Sequence, residues 1–169
     1  MKKTVLLVVL LGFVAFLWSQ PVVDGVVKAG EYPNVIKVLD DTATIYYAVD
    51  TQGGINFAVV AKTQGWVGLG LGSAVMDGAF IFMGYFDHGK GVFSEQKGDG
   101  HTHNPVTAKR ADASIVVQNA DTTTIEFHIP AGMLPFTGKK FNYIVAYSGA
   151  ADLATYHEEN ETGGVITLK

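Results

Sequence analysis

Beyond residue 20, apolar residues recur at every second position in short runs. Such alternation marks strands with one buried face, and it predicts ten of them, at residues 35–39, 44–49, 55–61, 66–71, 79–86, 91–94, 114–118, 123–129, 141–147 and 165–168. Turn-forming clusters separate the runs, among them Asp40-Asp41, Gln52-Gly53-Gly54, Asp87-His88-Gly89 and Gly163-Gly164. Short strands punctuated in this way predict an all-β, immunoglobulin-like antiparallel sandwich, and no segment carries the period of a long amphipathic helix. Residues 97–113, rich in Gly, His, Asn and Pro, read as an irregular loop.

Two predicted strands depart from the ordinary pattern. In 66–72, Val67, Leu69 and Leu71 point one way, while Gly68, Gly70 and Gly72 leave the other face bare. A row of glycine weakens a strand, so it implies that something approaches the backbone closely. In 79–86, Ala79, Ile81, Met83 and Tyr85 alternate with Phe80, Phe82, Gly84 and Phe86, so both faces are apolar. A sandwich strand ordinarily has one wet face. This one calls for a second cover, which the pattern leaves open: another segment, a partner chain, an apolar ligand or a long loop.

The amino terminus adds an address. Lys2 and Lys3 precede an apolar run over 5–17, the layout of a secretory signal, with cleavage expected after Ser19 because a cut one residue later would set Pro21 beside the scissile bond. That run is shorter than the roughly 20 residues a membrane helix needs, and no second one follows. The expected product is a single domain over 20–169, secreted or periplasmic, without an integral membrane span. With Lys2 and Lys3 removed, ten Lys and Arg face 16 Asp and Glu, a net charge of −6. Nucleic acid is a poor partner for such a chain. Cysteine is absent, which excludes disulfides, thiolate metal sites and covalent haem attachment through C-x-x-C-H.

Catalytic motifs are missing. The glycines at 68, 70 and 72 precede no helix, so they form no phosphate-binding turn, and Ser73, Asp77 and the histidines match no nucleophile-elbow or zinc-protease spacing. His101 and His103 lie two apart, on one side of an extended segment, where both imidazoles could grip copper, nickel or zinc, with Asp87, His88 or Asp99 completing the shell. A solvated polar loop is the favoured alternative, and the pair is expected to be dispensable for the main ligand. His128, alternating with Phe127 and Ile129, is expected on the wet face beside Thr124 and Glu126. By composition alone Met76 is core filler and His157 a satisfied polar residue.

The segment from Gly65 through Trp66, Gly68, Gly70 and Gly72, then Met76-Asp77-Gly78-Ala79 and the apolar strand ending at Tyr85, resembles the central signature of DOMON domains. The aromatic strand 143–148, Tyr156-His157 and the closing strand 164–168 are also similar to that family, and the likeness runs from Asp24 to the end. It implies an extracytoplasmic β-sandwich that binds haem or sugars. In the haem-binding branch, represented by the cytochrome domain of cellobiose dehydrogenase, a non-covalent b-type haem is ligated by a Met after the glycine-rich strand and a His near the carboxy terminus. Those roles fall on Met76 and His157. Related haem subunits of the ethylbenzene dehydrogenase type pair Met with Lys, and no Lys stands near His157 to do so.

The resemblance therefore implies a b-type cytochrome-like domain rather than an enzyme, exchanging electrons with an unnamed redox partner protein. Trp66 and Tyr156, the glycines at 68, 70 and 72, and Phe80, Phe82 and Phe86 or the residues alternating with them would flank the haem. The opening Asp24-Gly25-Val26 with Gly30-Glu31-Tyr32 is similar both to those haem proteins and to family 9 carbohydrate-binding modules. The alternative is accordingly a sugar-binding module, with Trp66, Tyr85, Tyr147 or Tyr156 stacking on sugar rings. A ligand-free adhesion or structural sandwich is the third reading.

Overall fold

The computed structural model describes residues 20–157 and 160–168. The expected signal segment lies outside the described residues. Among these, eleven strands form two antiparallel sheets. The first holds β1 (Asn34–Val38), β2 (Ala43–Val49), β3 (Ile55–Ala61), β8 (Ala113–Gln118) and β9 (Thr123–Ile129), in the order β1-β2-β3-β9-β8. The second holds β4 (Val67–Leu71), β5 (Phe80–Asp87), β6 (Lys90–Asp99), β7 (Thr102–Pro105), β10 (Lys140–Tyr147) and β11 (Glu161–Thr167), in the order β11-β10-β4-β5-β6-β7. The predicted all-β sandwich is what the chain adopts, and no described helix is long and apolar enough to cross a membrane.

The strand missing from the expectation is β7. Sequence pattern ended one strand at 94 and left 97–113 irregular, whereas β6 continues to Asp99, turns at Gly100 and pairs back, with Gly98 opposite His103 and Gln96 opposite Pro105. Its residues, Thr-His-Asn-Pro, bury no apolar face at this sheet edge and so leave no period to detect.

Alternation fixes the core. Val67, Leu69 and Leu71 of β4 are wholly buried between the sheets, as are Phe57, Phe127 and Ile125 of the facing sheet. Phe82 of β5 stacks on Phe127 at 4.6 Å and 13°, and Phe127 on Phe57 at 5.5 Å, so an aromatic column ties one sheet to the other. Each such ring or Leu contributes about 1.5–3 kcal/mol on burial.

Both outer faces are partly covered, for different reasons. On the five-stranded sheet the segment 20–33 lies across β2, β3 and β9, burying Tyr32 against Ala48 and Ala58. Glu126, expected on a wet face, is wholly buried there. Its carboxylate accepts hydrogen bonds from the Tyr32 hydroxyl (2.5 Å) and from the backbone N–H of Gly25 (2.6 Å) and Asp24 (3.0 Å). Alternation places a side chain on a face; it is silent about which segment later covers that face. On the six-stranded sheet Trp66, Ala79, Ile81 and Met83 form a second, smaller apolar cluster with Met76, Tyr85, Ile144 and Leu153 against it. Trp66, Met76 and Leu153 supply part of the second cover that β5 requires, and a cavity opens beside them.

Candidate functional site

Across the outer face of the six-stranded sheet lies a cavity of about 620 Å³, within the range of small-molecule and cofactor sites. Its floor comes from the outward faces of β4, β5 and β10, and its ends from β7 and β11. The glycine face of β4 makes the floor low. A β-carbon on Gly68 would stand 3.1 Å from Met83 Cγ, and one on Gly70 would stand 2.5 Å from Ile144 Cγ1. Side chains from the neighbouring strands thus lie flat over β4 in space that any other residue would fill, and they carry the apolar surface of the cavity.

Met76 and His157 both line this cavity. Met76 belongs to the loop after β4, whose backbone rests on β6: Ala79 N–H donates to the Met76 carbonyl (3.0 Å), and Gly78 N–H donates to the Gly98 carbonyl (3.2 Å). His157 is held at the entry to β11, where its carbonyl accepts from Asn160 N–H (3.1 Å). Its imidazole, 6 % exposed, meets the Trp66 ring edge-on at 6.4 Å and 83°. Trp66 in turn donates its Nε1–H to the Thr155 carbonyl (3.0 Å), locking the segment that carries His157. His157 Nε2 lies 2.9 Å from Glu161 Oε2. Tyr156 packs on His157 at 4.3 Å and is otherwise exposed at the rim.

Of the residues the sequence singled out, Met76, His157, Trp66, Gly68, Gly70 and Tyr156 are brought to one cavity. Three are not. Phe82 is in the inter-sheet core. Phe80 packs against that core too, between the Lys97 ammonium at 4.1 Å and the Arg110 guanidinium at 3.9 Å from its ring. Gly72 is exposed, facing the Pro135 carbonyl. The β5 residues that do face the cavity are the alternates, Ile81 and Met83. Of the rings considered for sugar stacking, Trp66 and Tyr147 are buried, the latter with its hydroxyl donating to Thr42 Oγ1 (2.9 Å). Tyr156 is the one that presents an open face at the cavity.

Two histidines that the sequence set apart from the main ligand join the same cavity: His101 and His103 line its β7 end. Among the described residues no three His, Asp or Glu side chains converge on one point, so Asp87, His88 and Asp99 complete no shell around that pair. His103 is half-buried, and burial holds its pKa below the ordinary imidazole value. His128 is not simply a surface residue either. Its Nδ1 meets Asp112 Oδ1 at 2.7 Å and its Nε2 meets Asp50 Oδ2 at 2.8 Å, beside a shallow polar depression on the opposite sheet. With both ring nitrogens engaged by carboxylates, that imidazole is an ion-pair partner rather than a ligand.

No family model matches the chain, and no curated protein does so. Solved structures do. The cytochrome b domain of pyranose dehydrogenase from Coprinopsis cinerea superposes with a TM-score of 0.61 at 15 % identity, covering 79 % of this chain and 80 % of that one. The cytochrome domain of Myriococcum thermophilum cellobiose dehydrogenase superposes at 0.60 and 10 % identity, covering 82 % and 89 %. The chain shares the cytochrome-domain fold. At these identities the likeness concerns the backbone. The sandwich here carries a largely apolar cavity whose walls offer the thioethers of Met76 and Met83 and the imidazoles of His101, His103 and His157. An apolar chamber of this size with soft and nitrogen donors suits haem iron, whose axial ligands include Met and His.

Proposed function

We propose that the chain is a b-type cytochrome-like domain that holds one non-covalent haem b in the cavity of the six-stranded sheet, with Met76 and His157 as axial ligands. The observation that carries this reading is the presence of those two side chains on the walls of one largely apolar cavity. Ile81, Met83 and Ile144 would exclude water from the bound group, Gly68 and Gly70 would keep the floor low, and Trp66 would hold His157 in orientation through Thr155 and its own ring edge. When bound, the haem supplies one-electron chemistry, and Met ligation favours the reduced state. Held by both Met76 and His157, the haem would have no open position for oxygen, and the activity would be electron transfer to a partner protein. The signal-like amino terminus supports a secreted or periplasmic place for it.

The mature protein produced with ample haem should show a Soret band with sharp reduced α and β bands. His157→Ala should lose the haem or turn it high-spin. A colourless wild-type protein that instead retains oligosaccharide would overturn the reading in favour of the sugar-binding alternative.

A further inference from the structure

The Met76 wall of the cavity carries a second donor. Met76 Cγ lies 3.5 Å from the point where a β-carbon of Gly98 would stand, and Gly98 pairs directly with His103 across the β6–β7 ladder. Directly opposed residues hold their β-carbons about 4.5–5.5 Å apart on one face, so the thioether and the His103 imidazole arise from adjoining points of the same wall. His103 is also prepared as a ligand. The Gln96 amide donates to Ser94 Oγ (3.2 Å), which turns its Oε1 toward His103 Nδ1. An amide oxygen only accepts, so with the amide in this orientation the proton would sit on Nδ1 and Nε2 would carry the lone pair. That is the arrangement by which metal-bound imidazoles are oriented and made more basic.

We infer that His103 is a third iron-ligating side chain of this domain, competing through Nε2 with Met76 for the coordination position opposite His157. The inference rests on the haem reading above. The exchange breaks the iron–thioether bond and forms an iron–imidazole bond; no electron or proton is transferred, because Nδ1 keeps its hydrogen and Nε2 has none to lose. Ferric iron favours imidazole over thioether, so the two donors give the domain an oxidation-state-dependent choice of ligand.

Four single and double variants test this. Met76→Ala should stay six-coordinate and low-spin, lose the thioether-to-iron charge-transfer absorption, shift to a lower reduction potential and fail to bind carbon monoxide readily. Met76→Ala combined with His103→Ala should become high-spin and bind carbon monoxide, while His103→Ala alone should stay low-spin, strengthen the thioether-to-iron absorption of the ferric state and raise the reduction potential. Adding Gln96→Leu to Met76→Ala should weaken haem binding roughly 10- to 100-fold, the usual cost of losing the group that orients a ligating histidine. In the haem-free protein, nitrogen NMR should find His103 as the Nδ1–H tautomer. A high-spin, carbon monoxide-binding Met76→Ala overturns the role of His103 and leaves the haem reading intact. Persistence of the thioether absorption in Met76→Ala, pointing to Met83, also overturns it, as does an Nε2–H tautomer. A colourless wild-type protein overturns both.

Discussion

The carbonyl of Met76 sits on the face of Gly98, inside the space a β-carbon there would need. This contact, with the Gly78 N–H to Gly98 carbonyl bond, seats the Met76 loop on β6 and sets the reach of the thioether into the cavity. Gly98→Ala must therefore displace the loop or the strand. Overpacking of this kind costs about 1–3 kcal/mol. The expected result is a lower urea midpoint together with loss of thioether ligation in the haem-loaded protein; a variant with wild-type stability and spectrum would refute the contact.

Glu126 staples the amino-terminal segment to the sheet. Replacing it with Ala leaves the Tyr32 hydroxyl and the Gly25 N–H buried without their acceptor, and orphaned buried groups cost about 1–3 kcal/mol each. Glu126→Ala should lose roughly 3 kcal/mol and expose residues 20–33 to protease, while Glu126→Gln, which keeps one carbonyl acceptor, should fall between. Denaturant titration with limited proteolysis measures both.

The ion-pair cluster at His128 gives stability a pH signature. Burial works against its charge, but the hydrogen bonds to Asp112 and Asp50 outweigh it and hold the His128 pKa above the ordinary value. That contribution is complete below the unfolded imidazole pKa of about 6.5 and is lost as pH rises through the higher folded value. Asp50 shifts the other way: burial opposes its charge, yet His128 and the N–H groups of Gln52 and Gly54 lower its pKa. Its contribution is present above about pH 3.9 and is lost as pH falls through the lowered value. Stability should therefore peak between about pH 4 and 6.5. His128→Gln should flatten the alkaline limb by about 1 kcal/mol, as followed by thermal melts across pH.

Alternation made the sandwich legible because a period of two survives in the residues of β4, β9 and β10, although of these three β10 alone leaves one face open. It also exposed the bare glycine face, whereas Met76 and His157 stood apart from ordinary Met and His through a family likeness alone. What the pattern did not carry was contact. Phe80 and Phe82 were matched to the ligand because they are large and apolar, but the faces of β5 are equally apolar, and which one meets the cavity depends on the pairing of Gly68 with Met83. Glu126 and His128 were assigned to water because their covering groups come from segments about 100 and 78 residues away. The His101 to His103 segment looked separate because β7 pairs through its backbone, which leaves no hydrophobic trace.

His157 and Glu161 define the step by which the cavity would accept its ligand. Glu161 Oε2 lies 2.9 Å from His157 Nε2, so in this conformation the nitrogen that faces the carboxylate is engaged. The Glu161 side chain is 58 % exposed, and little packing holds it in place. Iron binding through Nε2 requires the carboxylate to swing into solvent, whereas binding through Nδ1 would leave the pair intact. Glu161→Gln weakens the pair and Glu161→Ala removes it, and neither touches the apolar floor or Trp66. If Nε2 is the ligating atom, haem association measured by stopped-flow absorbance should accelerate several-fold in Glu161→Ala and less in Glu161→Gln. A hydrogen bond of this kind contributes about 1 kcal/mol net, or roughly fivefold. The loaded spectrum should remain low-spin in both variants. Unchanged association with an unchanged spectrum would overturn ligation through Nε2 and leave Glu161 as a group that orients the ring.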